Sequence, residues 1–187
     1  MDAEIKNKNY ELFLKKLGEL GVDTSQIQSQ YGDALKNGTF TNINDFGHAY
    51  DGSLIEIVLK VLTPYAVRLN ELLPTHMRCE KSTLVKVCLL HHISKAIRLV
   101  HNDNVWEVEH RNMPYKYSAT QPSIRVGLHS LVMAQNCGIG FTAEEAEAMT
   151  INDRDSTDEQ ARYHSSVLAT IVRQANELTY LQITDRE

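Results

Sequence analysis

Apolar residues recur along this chain at spacings of three and four, the period of a helix with one buried face. Leu12, Phe13, Leu17 and Leu20 mark a first helix that stops near Gly21, and a second covers 25–35. The stretch 36–47, KNGTFTNINDFG, is rich in Asn, Thr and Gly and interrupts the pattern as a connecting loop. A long apolar run follows over 51–72 with Pro64 inside it, so a kink or a break is expected there. Residues 81–100, KSTLVKVCLLHHISKAIRLV, predict one helix buried on most sides. Over 101–121 the helical period is lost. An extended loop fits these residues, as does a small hairpin with VWEVEHRN and PYKYSA as its strands. Helical spacing resumes over 122–136, 142–151 and 158–179, and the last two carry capping boxes, Thr142 with Glu145 and Ser156 with Glu159. Helices so outnumber possible strands that the pattern predicts an all-α fold.

Composition narrows the function classes. At 187 residues the chain suits one domain with a sizeable core, and 42% hydrophobic with 23% charged residues is ordinary for a globular protein. A net charge of −5 gives no chain-wide field to attract nucleic acid, though a local basic groove stays open. No apolar run approaches the roughly 20 residues that span a bilayer, and the N-terminus lacks the apolar core of a signal peptide. A cytoplasmic setting is therefore expected, with no membrane partner. Cys79, Cys88 and Cys137 are widely spaced, which predicts reduced and mostly buried thiols, not a disulfide framework.

Candidate chemistry gathers in two places. His91, Lys95 and Arg98 fall at i, i+4 and i+7 and, on one continuous helix, share a face. Imidazole, ammonium and guanidinium on one stripe suit a phosphate group. The plainer alternative, a solvent-facing edge of an otherwise buried helix, is the one composition favours. The second place is GHAYDGSLIE, where His48, Tyr50, Asp51 and Glu56 flank a glycine-marked helix start. In the 106–117 segment, Trp106, Tyr115 and Tyr117 with Arg111 and Lys116 suit stacking on a base, or, the favoured reading, anchoring of the segment to the bundle. The acidic stretch 144–159 suits a basic partner or, more simply, a solvated face.

Taken in order, HAYDGSLIEIVLKV, then LLHHISKA, then TAEEAEAMTIND and RQANELT, the chain resembles the HD-domain phosphohydrolase superfamily. The likeness is closest to its 3′–5′ exoribonucleases and small bacterial and phage hydrolases. In that branch the segments read HHAYxGGLLEHTLxV, LLHDIxK, TxEEAxAIxxH and xxADELA. The resemblance covers about 31–179 and implies an HD-like helical bundle. One domain, 1–187, is expected, with N-terminal helices and loop over 1–46 and the HD core over 47–180. In the family, a His, a His-Asp pair and a distant Asp hold a divalent metal that polarises phosphate and activates water.

Position by position, most of those ligands are replaced here. Ile57 stands at the first metal histidine, His92 at the aspartate of the His-Asp pair, Asn152 at a later histidine, and Asn176 at the closing aspartate. A one-residue slip offers Asp153 for Asn152. The family's histidine before its sixth-helix region has no counterpart over 122–128, and His129 follows a few residues later. With both core carboxylates neutral, an oxygen-seeking cation loses its charge compensation. The resemblance thus implies a degenerate HD protein with no metal cofactor that binds a nucleotide, another phosphate-containing small molecule or a protein partner. His91 and Lys95 are the candidate catalytic residues, and His48, Tyr50, His92, Arg98, Asn152 and Asn176 the candidate ligand-binding ones. One alternative is an active nucleotide or oligonucleotide phosphodiesterase with a rebuilt divalent-metal site, in which His48, His91 and His92, with His129 or Asp51, take Zn²⁺ or Ni²⁺. In a metal-free form of that alternative, His91 is the general acid or base. Another alternative is a structural component or homo-oligomer subunit.

Overall fold

The structure is a computed structural model that describes residues 1–44, 47–153 and 165–184. It is all-α, with strands confined to one two-stranded ribbon among the described residues. The helices are α1 (Ala3–Glu19), α2 (Ser25–Asn37), α3 (Ser53–Ile57), α4 (Thr63–Leu72), α5 (Lys81–Leu90), α6 (Lys95–Arg98), α7 (Val105–Arg111), α8 (Val126–Asn136), α9 (Ala143–Thr150) and α10 (Val167–Thr184). Strands β1 (Leu99–His101) and β2 (Tyr115–Tyr117) flank α7. One contiguous core, from Phe13 and Leu17 through Leu54, Leu62, Leu84 and Leu89 to Met149, Leu168 and Val172, joins the helices. No described helix is long and apolar enough to cross a membrane. Cys79, Cys88 and Cys137 are all free, and burial pushes the Cys88 thiol up to about 12. The Thr142–Glu145 capping box is present at the start of α9, whereas Ser156 and Glu159 lie outside the described residues.

Pro64 does not break the helix, but a change of helical register precedes it. Helices α3 and α4 run on through a widened π turn, Val58–Leu62, where the Thr63 N–H reaches back to the Val58 carbonyl. Pro64 follows directly on this π turn, where the shift to five-residue bonding accommodates its missing N–H within the continuing helix.

The helix expected over 81–100 is divided. α5 ends at Leu90, and tight turns with three-residue bonds follow: Ile93 to Leu90, Lys95 to His92 and Ala96 to Ile93. Ser130 of α8 supplies the cause. Its Oγ accepts from the Ser94 N–H at 3.1 Å, while Ser94 Oγ donates to the Val126 carbonyl at 2.9 Å. A side chain inserted into the helical ladder breaks it at this point. His91, Lys95 and Arg98 therefore do not form one helical stripe.

Of the two strands expected in the 101–121 segment, PYKYSA holds one, Tyr115–Tyr117, but its partner is Leu99–His101 and not VWEVEHRN. Leu99 pairs with Tyr117, Val100 with Lys116 and His101 with Tyr115, while VWEVEHR is helix α7. Asn104 caps that helix by accepting from the Glu107 N–H, and Asn112 ends it with a positive φ of 49°. Of the aromatic residues here, Tyr115 is a buried anchor whose hydroxyl donates to Asp51 at 2.7 Å. Trp106 and Tyr117 are exposed at 55% and 59%, so they do not anchor the segment as the favoured reading had it. Trp106 stacks on His110 and lies near Arg111.

Helix α8 begins later than the 122 expected, at Val126, because the Asp153 carboxylate holds its first turn, accepting from the Gly127 and Leu128 amides at 3.1 and 2.7 Å. Gly127 is required for this approach: a Cβ there would stand 2.2 Å from the Met149 carbonyl oxygen. Gly127→Ala is expected to lower stability by about 2 kcal/mol or more in urea unfolding. Gly18→Ala, in α1 with open space around it, is expected to raise stability by about 0.5–1 kcal/mol in the same experiment.

Candidate functional site

The turn at 91–94 and the start of α6 face a cavity of about 410 Å³. His91, His92, Lys95, Asn152 and Asn176 all line it, together with Phe40, Tyr117, Arg125, Asp153 and Tyr180. Five predicted residues, from α5 through to α10, thus converge. His48 and Tyr50 do not line it: Tyr50 donates to Glu56 at 2.8 Å, and Glu56 is also held by Lys60. Asp51 is engaged by the ribbon, through Tyr115 and an exposed His101. Arg98 faces a neighbouring cavity. His129 is buried, with its Nδ1 lacking a partner, and is not part of the lining.

The solvent-facing alternative for His91 and its neighbours is overturned. His91 is 1% exposed, His92 4% and Lys95 6%. Both rings are held by amides. Asn152 Nδ2 donates to His91 Nε2 at 2.8 Å, and His92 Nε2 donates to Asn176 Oδ1 at 2.8 Å. The first contact leaves the His91 proton on Nδ1, turned towards the Met149 carbonyl without a hydrogen bond of ordinary geometry. The second leaves His92 Nδ1 as a buried atom with no partner. Burial, and then the Lys95 charge, pushes His91 down to about 4 and His92 well below its ordinary value, so both rings are neutral at pH 7.

Among the described residues Lys95 is the one lysine or arginine that is buried. Its ammonium donates to the Phe40 carbonyl at 2.8 Å and the Tyr180 hydroxyl at 2.7 Å, and lies 3.7 Å from the centre of the Phe40 ring. No carboxylate pairs with it among the described residues. Because Lys95 donates to the Tyr180 oxygen, the Tyr180 proton is free to point elsewhere. Asn176 Nδ2 likewise makes no hydrogen bond within the described fold. Asp153, the only carboxylate among the described lining residues, is committed to the α8 amides, and burial raises its pKa. The cavity wall is therefore rich in donors, and among its described residues the Lys95 and Arg125 cations face the one carboxylate of Asp153.

Sequence reasoning missed Phe40 and Tyr180. Tyr180 left a signal, since it lies one turn after Asn176 on the same face of α10. Phe40 left none, because it enters from the loop after α2, held by its own N–H on Ser53 Oγ at 3.0 Å. No protein-family model, curated protein or solved structure matches the chain.

A divalent metal does not fit these donors. Among the described residues no group of three or more His, Cys, Asp or Glu is gathered to hold one. His91 Nε2 and His92 Nε2 are turned to amides, and Ile57 is buried in the core. The neutral, buried histidines set a pH dependence. Unfolding releases them to titrate near 6.5, so the unfolded chain binds more protons between that value and about 4. Stability is fully present above pH 6.5 and is lost as pH falls towards 4, by about 3 kcal/mol for His91. Urea unfolding from pH 7 to 4 is expected to show this slope, and His91→Gln to flatten it.

Proposed function

We propose that this chain is an HD-like helical protein without the family's metal centre, which binds a small phosphate-bearing molecule, of the nucleotide class, in the cavity at Lys95. The observation that carries the reading is the buried Lys95 ammonium, which faces 410 Å³ of space with no carboxylate beside it. A charge of this kind is costly to bury alone, and an anion in the cavity supplies what the fold withholds. Tyr180 and Asn176 add neutral donors, and phosphate oxygens accept several such bonds at once. Phosphohydrolysis at a rebuilt histidine site is less well supported, because the Nε2 atoms of His91 and His92 are already engaged. The same engagement weighs against His91 as a general acid or base. A small anionic ligand and unpaired thiols are in keeping with a cytoplasmic protein.

Calorimetric titration with adenosine 5′-monophosphate tests the reading. Saturable binding is expected that survives EDTA and weakens about tenfold or more in Lys95→Met. That variant is expected to fold with unchanged or raised melting temperature, since a buried unpaired charge is replaced by an apolar chain of similar length. Undiminished binding in Lys95→Met, or binding that requires added Mn²⁺ or Zn²⁺, would contradict it.

A further inference from the structure

Beside the cavity at Lys95 lies a second of about 440 Å³, lined by Arg98, Tyr117 and the segment from Ser118 to Ser123. Tyr117 lines both, so one exposed ring stands between two adjoining spaces. Arg98 in the second space resembles Lys95 in the first, since no carboxylate forms an ion pair with it among the described residues. Its Nη1 donates to the Ile124 carbonyl, its Nε is buried with no partner, and its Nη2 makes no hydrogen bond within the described fold. Asp153 feels the Arg98 charge but lies beyond ion-pair distance and is held by the α8 amides.

The two cations are three residues apart on α6, a spacing that sends both side chains from one face with Cβ atoms about 5–6 Å apart. The shelf between them is held in place. Leu99 and Tyr117 are partners in the ribbon, the Ser118 N–H donates to the Arg98 carbonyl at 2.7 Å, and the guanidinium lies 5.9 Å from the Tyr117 ring centre. Ser118, Gln121 and Ser123 place hydroxyl and amide groups around the second space.

We propose that the site is bipartite and takes one small molecule bearing two separated anionic groups, the first at Lys95 and the second at Arg98, with the body of the ligand against Tyr117. This rests on the reading of the Lys95 cavity as an anion site and extends it to the class of ligand. A singly phosphorylated molecule fills only the first space and leaves Arg98 without a counter-charge. A molecule with a second phosphate or carboxylate satisfies both. Arg98 suits this role because a planar guanidinium with unused donors matches the geometry of such groups.

The test is calorimetric titration of the full chain with adenosine 5′-monophosphate and adenosine 3′,5′-bisphosphate at one salt concentration. The wild type is expected to bind the bisphosphate about tenfold or more tightly than the monophosphate. Arg98→Met is expected to abolish that preference while keeping monophosphate affinity within about twofold, and Arg98→Lys to retain part of it. Melting temperatures of both variants show whether the Ile124 contact is needed for folding, and the charge-keeping lysine variant carries the test if the methionine variant is unstable. Equal affinity for the two nucleotides in the wild type would overturn the proposal. So would an Arg98 substitution that weakens both nucleotides to the same extent. Failure of Lys95→Met to weaken either nucleotide is a different result, and it refutes the reading of the first cavity.

Discussion

The structure depends on how it holds one buried charge. The Lys95 ammonium is removed from water without a carboxylate partner, at a cost of several kcal/mol that the surrounding groups must offset. A carbonyl, a phenol oxygen and an aromatic face do so in part. Phe40 supplies both the carbonyl and the ring, Tyr180 supplies the phenol, and these two residues and the lysine come from different regions. Phe40 comes from the loop after α2, which is clamped where Gly38 approaches the Ala96 backbone and accepts from the Gly52 and Leu54 amides. Tyr180 comes from α10, which packs on α4 and α9. Lys95 is aimed by the break after α5, which Ser130 of α8 imposes. The loop after α2, α6, α8 and α10 thus meet around a single positive group.

On the proposed HD-like reading, asparagines stand where that family carries metal ligands, and the observed geometry suits them there. Asn152 and Asn176 each give a neutral histidine a partner without bringing charge into the interior. On the proposed reading, the cavity presents donors and positive charge to an anion directly, and phosphate recognition needs no bridging ion.

What could be read from the residues was what short-range pattern controls. The α1, α2 and α9 helices and the Thr142 capping box follow from local spacing and caps. The convergence of His91, His92, Lys95, Asn152 and Asn176 was legible only through the order of motifs resembling one family. Features set by distant partners were hidden. The break after α5 depends on Ser130, thirty-six residues away, and Phe40 depends on Ser53. In the 101–121 segment, Val105, Trp106 and Val108 favoured a strand, yet Asn104 with Glu107 three residues on was a helix start of the N-x-x-E kind. His48 and Tyr50 were expected beside the cavity residues but do not line the cavity, and Tyr50 is held instead by Glu56.

The central claim is the proposal that the enclosed Lys95 ammonium takes an anion, and its own nitrogen reports on it most directly. In a protein labelled with ¹⁵N-lysine, the Lys95 ammonium, assigned by its absence in Lys95→Met, is observed during titration with inorganic phosphate. The account predicts a saturable shift of that resonance, undisturbed by EDTA, while the exposed lysines respond only as salt affects them. A Lys95 resonance indifferent to phosphate, or one that moves only when a divalent metal is added, would contradict it.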